Sequence, residues 1–139
     1  TAGAGRLRVV PVPKPIGIGA DTEVVLDDEV FGKPVDATDA ARMLRQLCGR
    51  VHRVVSVVWA VSAGDETHAV CESVVEFSEL TDAQIDAYVA TGEPFGKAGA
   101  YAIQGRAAAF IRRLDGSYSG VMGLPLHETA MLLRHFEPR

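Results

Sequence analysis

Cysteine is scarce in this chain: Cys48 and Cys71 are the two among 139 residues, and they form no Cys-x-x-Cys pattern. That spacing argues against a disulfide scaffold or a zinc ribbon and fits incidental thiols in a reducing compartment. Long apolar runs are missing too. None approaches the ~20 residues needed to span a bilayer, and no signal-peptide pattern is visible, so a cytoplasmic protein with no membrane partner is expected. Positive charge is not in excess: 14 Lys and Arg stand against 18 Asp and Glu, a formal net charge of −4. Without a basic footprint, nucleic acid is a poor partner. His52, His68, His127 and His135 show neither His-Glu-x-x-His nor zinc-type spacing. GxxxxGK[ST] and GxGxxG loops are lacking, which speaks against Walker and Rossmann chemistry. Ser56, Ser73 and Ser78 lie in or beside predicted strands with no nucleophile elbow around them. An initiator Met is also lacking, and Thr1-Ala2-Gly3-Ala4-Gly5 reads as a loose leader. The expectation is that part of the native protein precedes it.

What is present suits a packed domain. Hydrophobic residues make up 47% and charged residues 23%, an ordinary globular composition, and residues 1–139 read as one domain. Pro11, Pro13 and Pro15 favour an extended lead into a strand over Ile16 to Leu26. Asp27-Asp28 makes a turn, and Glu29-Val30-Phe31 returns as a hairpin strand. Asp36 or Thr38 caps a helix in which Ala40, Met43, Leu44 and Leu47 recur at helical spacing before Gly49 stops it. Valine-rich Val51 to Val61 reads as a buried strand. A turn over Ala63 to Glu66 then leads to a strand over Ala69 to Phe77. Thr81 and Gln84 match a capping box for a helix running to about Ala90, with Gly92 as its stop. Gly96 to Gly105 is a glycine-rich loop, Ala107 to Leu114 a further strand closed by Asp115-Gly116, and a last helix begins at Pro125. Neighbouring strand pairs interrupted by three helices predict an α/β fold in the broad sense, α+β by a stricter rule. The sheet is expected to be mixed and largely antiparallel, flanked by helices.

Three segments carry residues suited to chemistry. In Gly19-Ala20-Asp21-Thr22 a carboxylate and a hydroxyl follow a glycine at what reads as the end of an apolar strand segment, and Glu23 adds another carboxylate. Asp21 reads equally as a turn or cap carboxylate and as a general base or cation ligand. Lys33, in Gly32-Lys33-Pro34, would hold its amine in a fixed direction and neutralise phosphate oxygens. Gln104, in the loop from Lys97 to Gly105, offers both a donor and acceptors, which suits the edge of a nucleobase. The alternative for that loop is a plain connection with Tyr101 and Ile103 packed inward.

These segments, in this order, resemble the Maf-like family of nucleoside triphosphate pyrophosphatases. Gly19-Ala20-Asp21-Thr22 resembles the family's Ala-Asp-Thr motif, and Gly32-Lys33-Pro34 falls at the expected distance behind it. Lys97-Ala98-Gly99-Ala100-Tyr101, with Ile103-Gln104-Gly105, is the most specific match; Gly116-Ser117-Tyr118 and Val121 to Leu126 resemble the closing signature. The resemblance implies a Maf or ITPase-like fold. It also implies hydrolysis of a nucleoside triphosphate to the monophosphate and pyrophosphate with Mg²⁺ or Mn²⁺, in the service of nucleotide-pool housekeeping. By position, Asp21 matches the proton acceptor for the attacking water, Lys33 a substrate-binding lysine, and Thr22 and Gln104 positions tied to base selectivity. Ala-Asp-Thr looks like the branch acting on dTTP, UTP and modified uridine triphosphates. The family is linked to arrest of septum formation and is often homodimeric; the alternative reading is a non-catalytic, Maf-like nucleotide-binding or septum-formation regulator that keeps the fold without the phosphate clamp. The family's Ser-x-Ser-Pro-Arg-Arg-like loop is expected upstream of Thr1. Gly96 stands where the family usually has an acidic residue, and Ser78 where an arginine often follows Phe.

Overall fold

The computed structural model describes residues 15–137. The leader over Thr1 to Gly5 and the prolines Pro11 and Pro13 lie outside the described residues. Five strands and four helices follow in chain order: β1 (Gly17–Leu26), β2 (Glu29–Phe31), α1 (Ala37–Leu47), β3 (Val51–Ser62), β4 (Asp65–Phe77), α2 (Asp82–Ala90), β5 (Ile111–Asp115), α3 (Tyr118–Met122) and α4 (Leu126–His135). The strands form a sheet in the order β2-β1-β3-β4-β5, and all four pairings are antiparallel. The predicted class, helices against a largely antiparallel sheet, is the one observed.

Period-two alternation organises the sheet. Along β3 the even-numbered residues His52, Val54, Ser56, Val58, Ala60 and Ser62 are buried, while the odd-numbered ones are half-buried or exposed. Val24 and Leu26 of β1 join Val54, Val75 and Phe77 in a core with Leu44 and Leu47 of α1 and Ile85 and Tyr88 of α2. Further along the same face Val58 and Ala60 pack with Leu132 of α4 in a second, smaller cluster. Ser56 therefore lies between two apolar clusters, itself fully buried. The opposite face keeps Val70 and Val74 exposed, the one-sided burial common in antiparallel sheets.

Local signals account for the helix starts. The Asp36 side chain accepts from Asp39 N–H at 2.8 Å and caps α1. Thr81 and Gln84 satisfy each other's backbone at 2.8 and 3.1 Å, completing the predicted capping box on α2. Three expectations are corrected. The turn after β3 is only Ala63-Gly64, whose φ values of 48° and 84° are both left-handed. Those are the angles of a type I′ hairpin turn, so Asp65 and Glu66 already pair with Ser62 and Val61. The strand expected from Ala107 begins only at Ile111, because Arg106–Phe110 forms 3₁₀ turns. Three successive alanines favour helical backbone over strand, and Ala107 is buried in the core. Lastly, Gly19 to Thr22 is not at the end of a strand. It runs through the first half of β1, with Asp21 opposite Val57 and Thr22 opposite Ser56.

Candidate active site

β2 pairs only with Val24 to Leu26 of β1. Upstream of Val24, the outer edge of β1 carries no strand among the described residues, and the edge at Ala20, Asp21 and Thr22 borders a cavity of about 250 Å³. The cavity is also lined by Lys33, Lys97, Tyr101, Gln104 and Gly123. The structure thus brings together all four residues singled out from the sequence: Asp21, Thr22, Lys33 and Gln104.

Strand alternation separates the first two. Thr22 points with Val24 toward the packed face and is half-buried, whereas Asp21 is exposed. The Asp21 carboxylate folds back so that Oδ1 accepts from Thr22 N–H at 3.0 Å, which anchors it at the cavity, while its other oxygen accepts no hydrogen bond among the described residues. Lys33 follows β2 and is exposed; Lys97 is half-buried. Among the described residues neither lysine forms an ion pair with a carboxylate. Two ammonium groups and one carboxylate around one cavity leave a net positive local charge on a chain that is acidic as a whole, a fit for a polyanion.

The two lysine segments are held together by the backbone, since Gly99 N–H donates to the Gly32 carbonyl at 3.1 Å. This contact needs glycine. Gly99 has φ +72°, and a Cβ there would lie 2.8 Å from a methyl carbon of buried Val24. Ala100, also left-handed at φ 66°, completes a backbone shape that few residues adopt. Gly99→Ala is expected to destabilise the fold by about 2 to 4 kcal/mol, from left-handed strain plus overpacking. Urea unfolding monitored by circular dichroism measures it; an unchanged midpoint would show that the loop is free to move off Val24.

Beneath the cavity, Tyr101 donates to or accepts from His52 Nε2 at 2.6 Å. The His52 and Tyr101 rings also pack edge-on with Phe77. Burial pushes the Tyr101 phenol up, out of the range of ordinary pH, and pulls His52 down to about 4. Both are therefore neutral at pH 7, a rigid wall rather than a source of charge.

Among the described residues no group of three His, Cys, Asp or Glu is placed to hold a metal ion, and Asp21 is the one carboxylate on the cavity lining. A single carboxylate fits Mg²⁺ or Mn²⁺ held mainly by substrate phosphates and water, as Mg²⁺ usually is, rather than by a cage of protein ligands.

Sequence reasoning missed Lys97 as a cavity cation, and it missed α3, whose end supplies Met122 and Gly123 to the lining. Ser117 at the start and Gly123 at the end were the available signal, a serine N-cap and a glycine stop around a five-residue helix.

A family model described as Maf-like protein matches residues 2–136. The chain belongs to the Maf-like family. Among its relatives is a "dTTP/UTP pyrophosphatase" of Xanthomonas axonopodis pv. citri (strain 306), 60% identical over 125 residues, which covers 89% of this chain and 66% of that protein. One from Ralstonia nicotianae (strain ATCC BAA-1114 / GMI1000), with the same name, is 60% identical over 115 residues, or 82% of this chain and 56% of the relative. A "Nucleoside triphosphate pyrophosphatase" of Xylella fastidiosa (strain M23) is 56% identical over 137 residues, or 98% and 72%. The chain spans slightly under two thirds of the length of the first of these Maf-like relatives. No helix among the described residues is long and apolar enough to cross a membrane.

Proposed function

We propose that this Maf-like protein is a nucleoside triphosphate pyrophosphatase acting on dTTP and UTP in the cytoplasm. The observation that carries the reading is the meeting of Asp21, Thr22, Lys33, Lys97 and Gln104 on one cavity, in relatives of proteins named for that activity. In-line displacement at phosphorus needs an oriented water and cations over the phosphates, with little covalent help from the protein. In this reading the second carboxylate oxygen of Asp21 takes a proton from water as the water oxygen attacks the α-phosphorus. The bond from that phosphorus to the α–β bridging oxygen breaks, and pyrophosphate leaves with the electron pair. Lys33 and Lys97 offset the phosphate charge, while Thr22 and Gln104 meet the base. A divalent cation, when bound, supplies further charge neutralisation beside Asp21.

The protein expressed from its complete reading frame, given Mg²⁺ or Mn²⁺, is expected to convert UTP and dTTP to the monophosphate and pyrophosphate in preference to ATP, GTP and CTP. Chromatography of the products decides the case. Release of orthophosphate would place the cleavage at another phosphate, and nucleotide binding without turnover would make the protein a sensor rather than an enzyme.

A further inference from the structure

A fully buried serine in the run Val54-Val55-Ser56-Val57-Val58 needs a reason, since a hydroxyl between two apolar clusters is costly without partners. Ser56 has two. Its Oγ lies 2.6 Å from the Gly120 carbonyl oxygen, a contact that requires a proton between the two oxygens, and the hydroxyl is the donor. Its Oγ also lies 2.9 Å from Thr22 Oγ1. A serine hydroxyl has one proton and two lone pairs. With the proton committed to Gly120, Ser56 accepts from Thr22. Among the described residues the remaining acceptor near Thr22 Oγ1 is the Gly123 carbonyl, at 3.4 Å. By either contact the Thr22 proton points into the protein, and only lone pairs of Thr22 Oγ1 are left for the cavity.

The arrangement depends on α3 lying close to the sheet. A Cβ on Gly120 would sit 2.9 Å from Cys71 Sγ, so glycine at this position lets the Gly120 carbonyl reach Ser56. The cavity lining around Thr22 also divides by charge. Lys33 and Lys97 suit phosphates, while Thr22, Val121, Met122 and Gly123 carry no charge and suit a base.

We propose that Ser56 is a positioning residue that fixes the Thr22 hydroxyl as a hydrogen-bond acceptor toward the cavity. It thereby selects a pyrimidine whose N3 carries a proton, as in uracil and thymine, over cytosine, whose N3 is itself an acceptor. The inference rests on the nucleotide-site reading above, and deepens it by assigning base choice to a buried serine that does not line the cavity. Without Ser56 the Thr22 hydroxyl would keep only the long 3.4 Å contact to the Gly123 carbonyl, too weak to hold its proton inward against a donor-seeking base, and the distinction would fade.

Calorimetric binding of α,β-methylene UTP and α,β-methylene CTP, neither of which can be cleaved at the scissile bond, tests this without needing turnover. Wild type should prefer the uridine analogue, and Ser56→Ala should reduce that preference about tenfold, the value of one hydrogen bond matched or mismatched. Where turnover is measured, the loss for UTP should fall on KM with kcat little changed, as expected for a contact equally present in ground and transition states. Thr22→Val should erase the same preference, and adding Ser56→Ala to it should change the ratio no further. A thermal melt checks that each variant is folded. Equal weakening of both analogues in folded Ser56→Ala, or no preference in wild type, would overturn the proposal. A wild type that prefers the uridine analogue but cleaves no triphosphate would remove the pyrophosphatase reading and leave the role of Ser56 intact.

Discussion

Asp21→Asn is expected to lower pyrophosphate release from UTP by about 10²- to 10⁴-fold, the range for loss of a positioned general base, with KM close to that of wild type. The substitution is informative because of where the carboxylate is anchored. One oxygen accepts from Thr22 N–H at 3.0 Å, and an asparagine carbonyl accepts the same bond. The strand and the cavity should therefore survive while the proton acceptor is lost. Asp21→Ala removes both, and its additional loss over Asp21→Asn measures what the anchor contributes. Steady-state kinetics with UTP and a melting curve for each variant make the comparison. Unchanged turnover in Asp21→Asn would remove Asp21 as the base.

Stability is expected to fall steeply in mild acid, with His52 as the largest identifiable cause. Burial holds the folded imidazole at about 4 against an ordinary value of 6.5, and Nδ1 has no hydrogen-bond partner among the described residues. Between these two pH values the unfolded chain binds a proton that the native protein does not. Stability therefore rises with pH across this window. The contribution is complete above about pH 6.5 and is lost as pH falls toward 4, an effect of about 3 kcal/mol. Urea midpoints taken from pH 7.5 to 4.5 should show the slope. His52→Gln keeps a polar group for Tyr101 but does not titrate, so its curve should be less stable at pH 7 yet flatter by most of that amount. Parallel curves for the two proteins would assign the acid sensitivity to other groups.

Much of the scaffold was legible because its signals are local. The Asp36 cap, one of two residues suited to it, and the Thr81 and Gln84 box each act within a few residues, and they recur in the structure where the sequence places them; the valine-rich β3, expected to be buried, is buried on one face only. Errors arose where a local pattern had two solutions. Ala107 to Phe110 suits either a strand end or a tight helix, and packing of Ala107 into the core selected the helix. The hairpin after β3 tightened because Ala63 accepts a left-handed angle, which an alanine seldom does.

The candidate site was legible by residue type but not by arrangement. Asp21, Thr22, Lys33 and Gln104 stood out because carboxylate, hydroxyl, amine and amide suit nucleotide chemistry and because their order resembles a known family. Ser56 stood out only as a serine without a nucleophile elbow, and Lys97 only as the first residue of a glycine-rich loop. By itself the sequence determined most of the elements, α3 and the 3₁₀ turns before β5 excepted, through patterns read over one or two turns or a few strand positions. Only the tertiary structure decided that Ser56 and Gly123, 34 and 101 residues away, meet the Thr22 hydroxyl, and that Lys33 and Lys97 share one cavity. The physical reason is that hydrogen-bond capacity is a property of each residue, but which atom spends its proton on which partner is set by packing across the sheet.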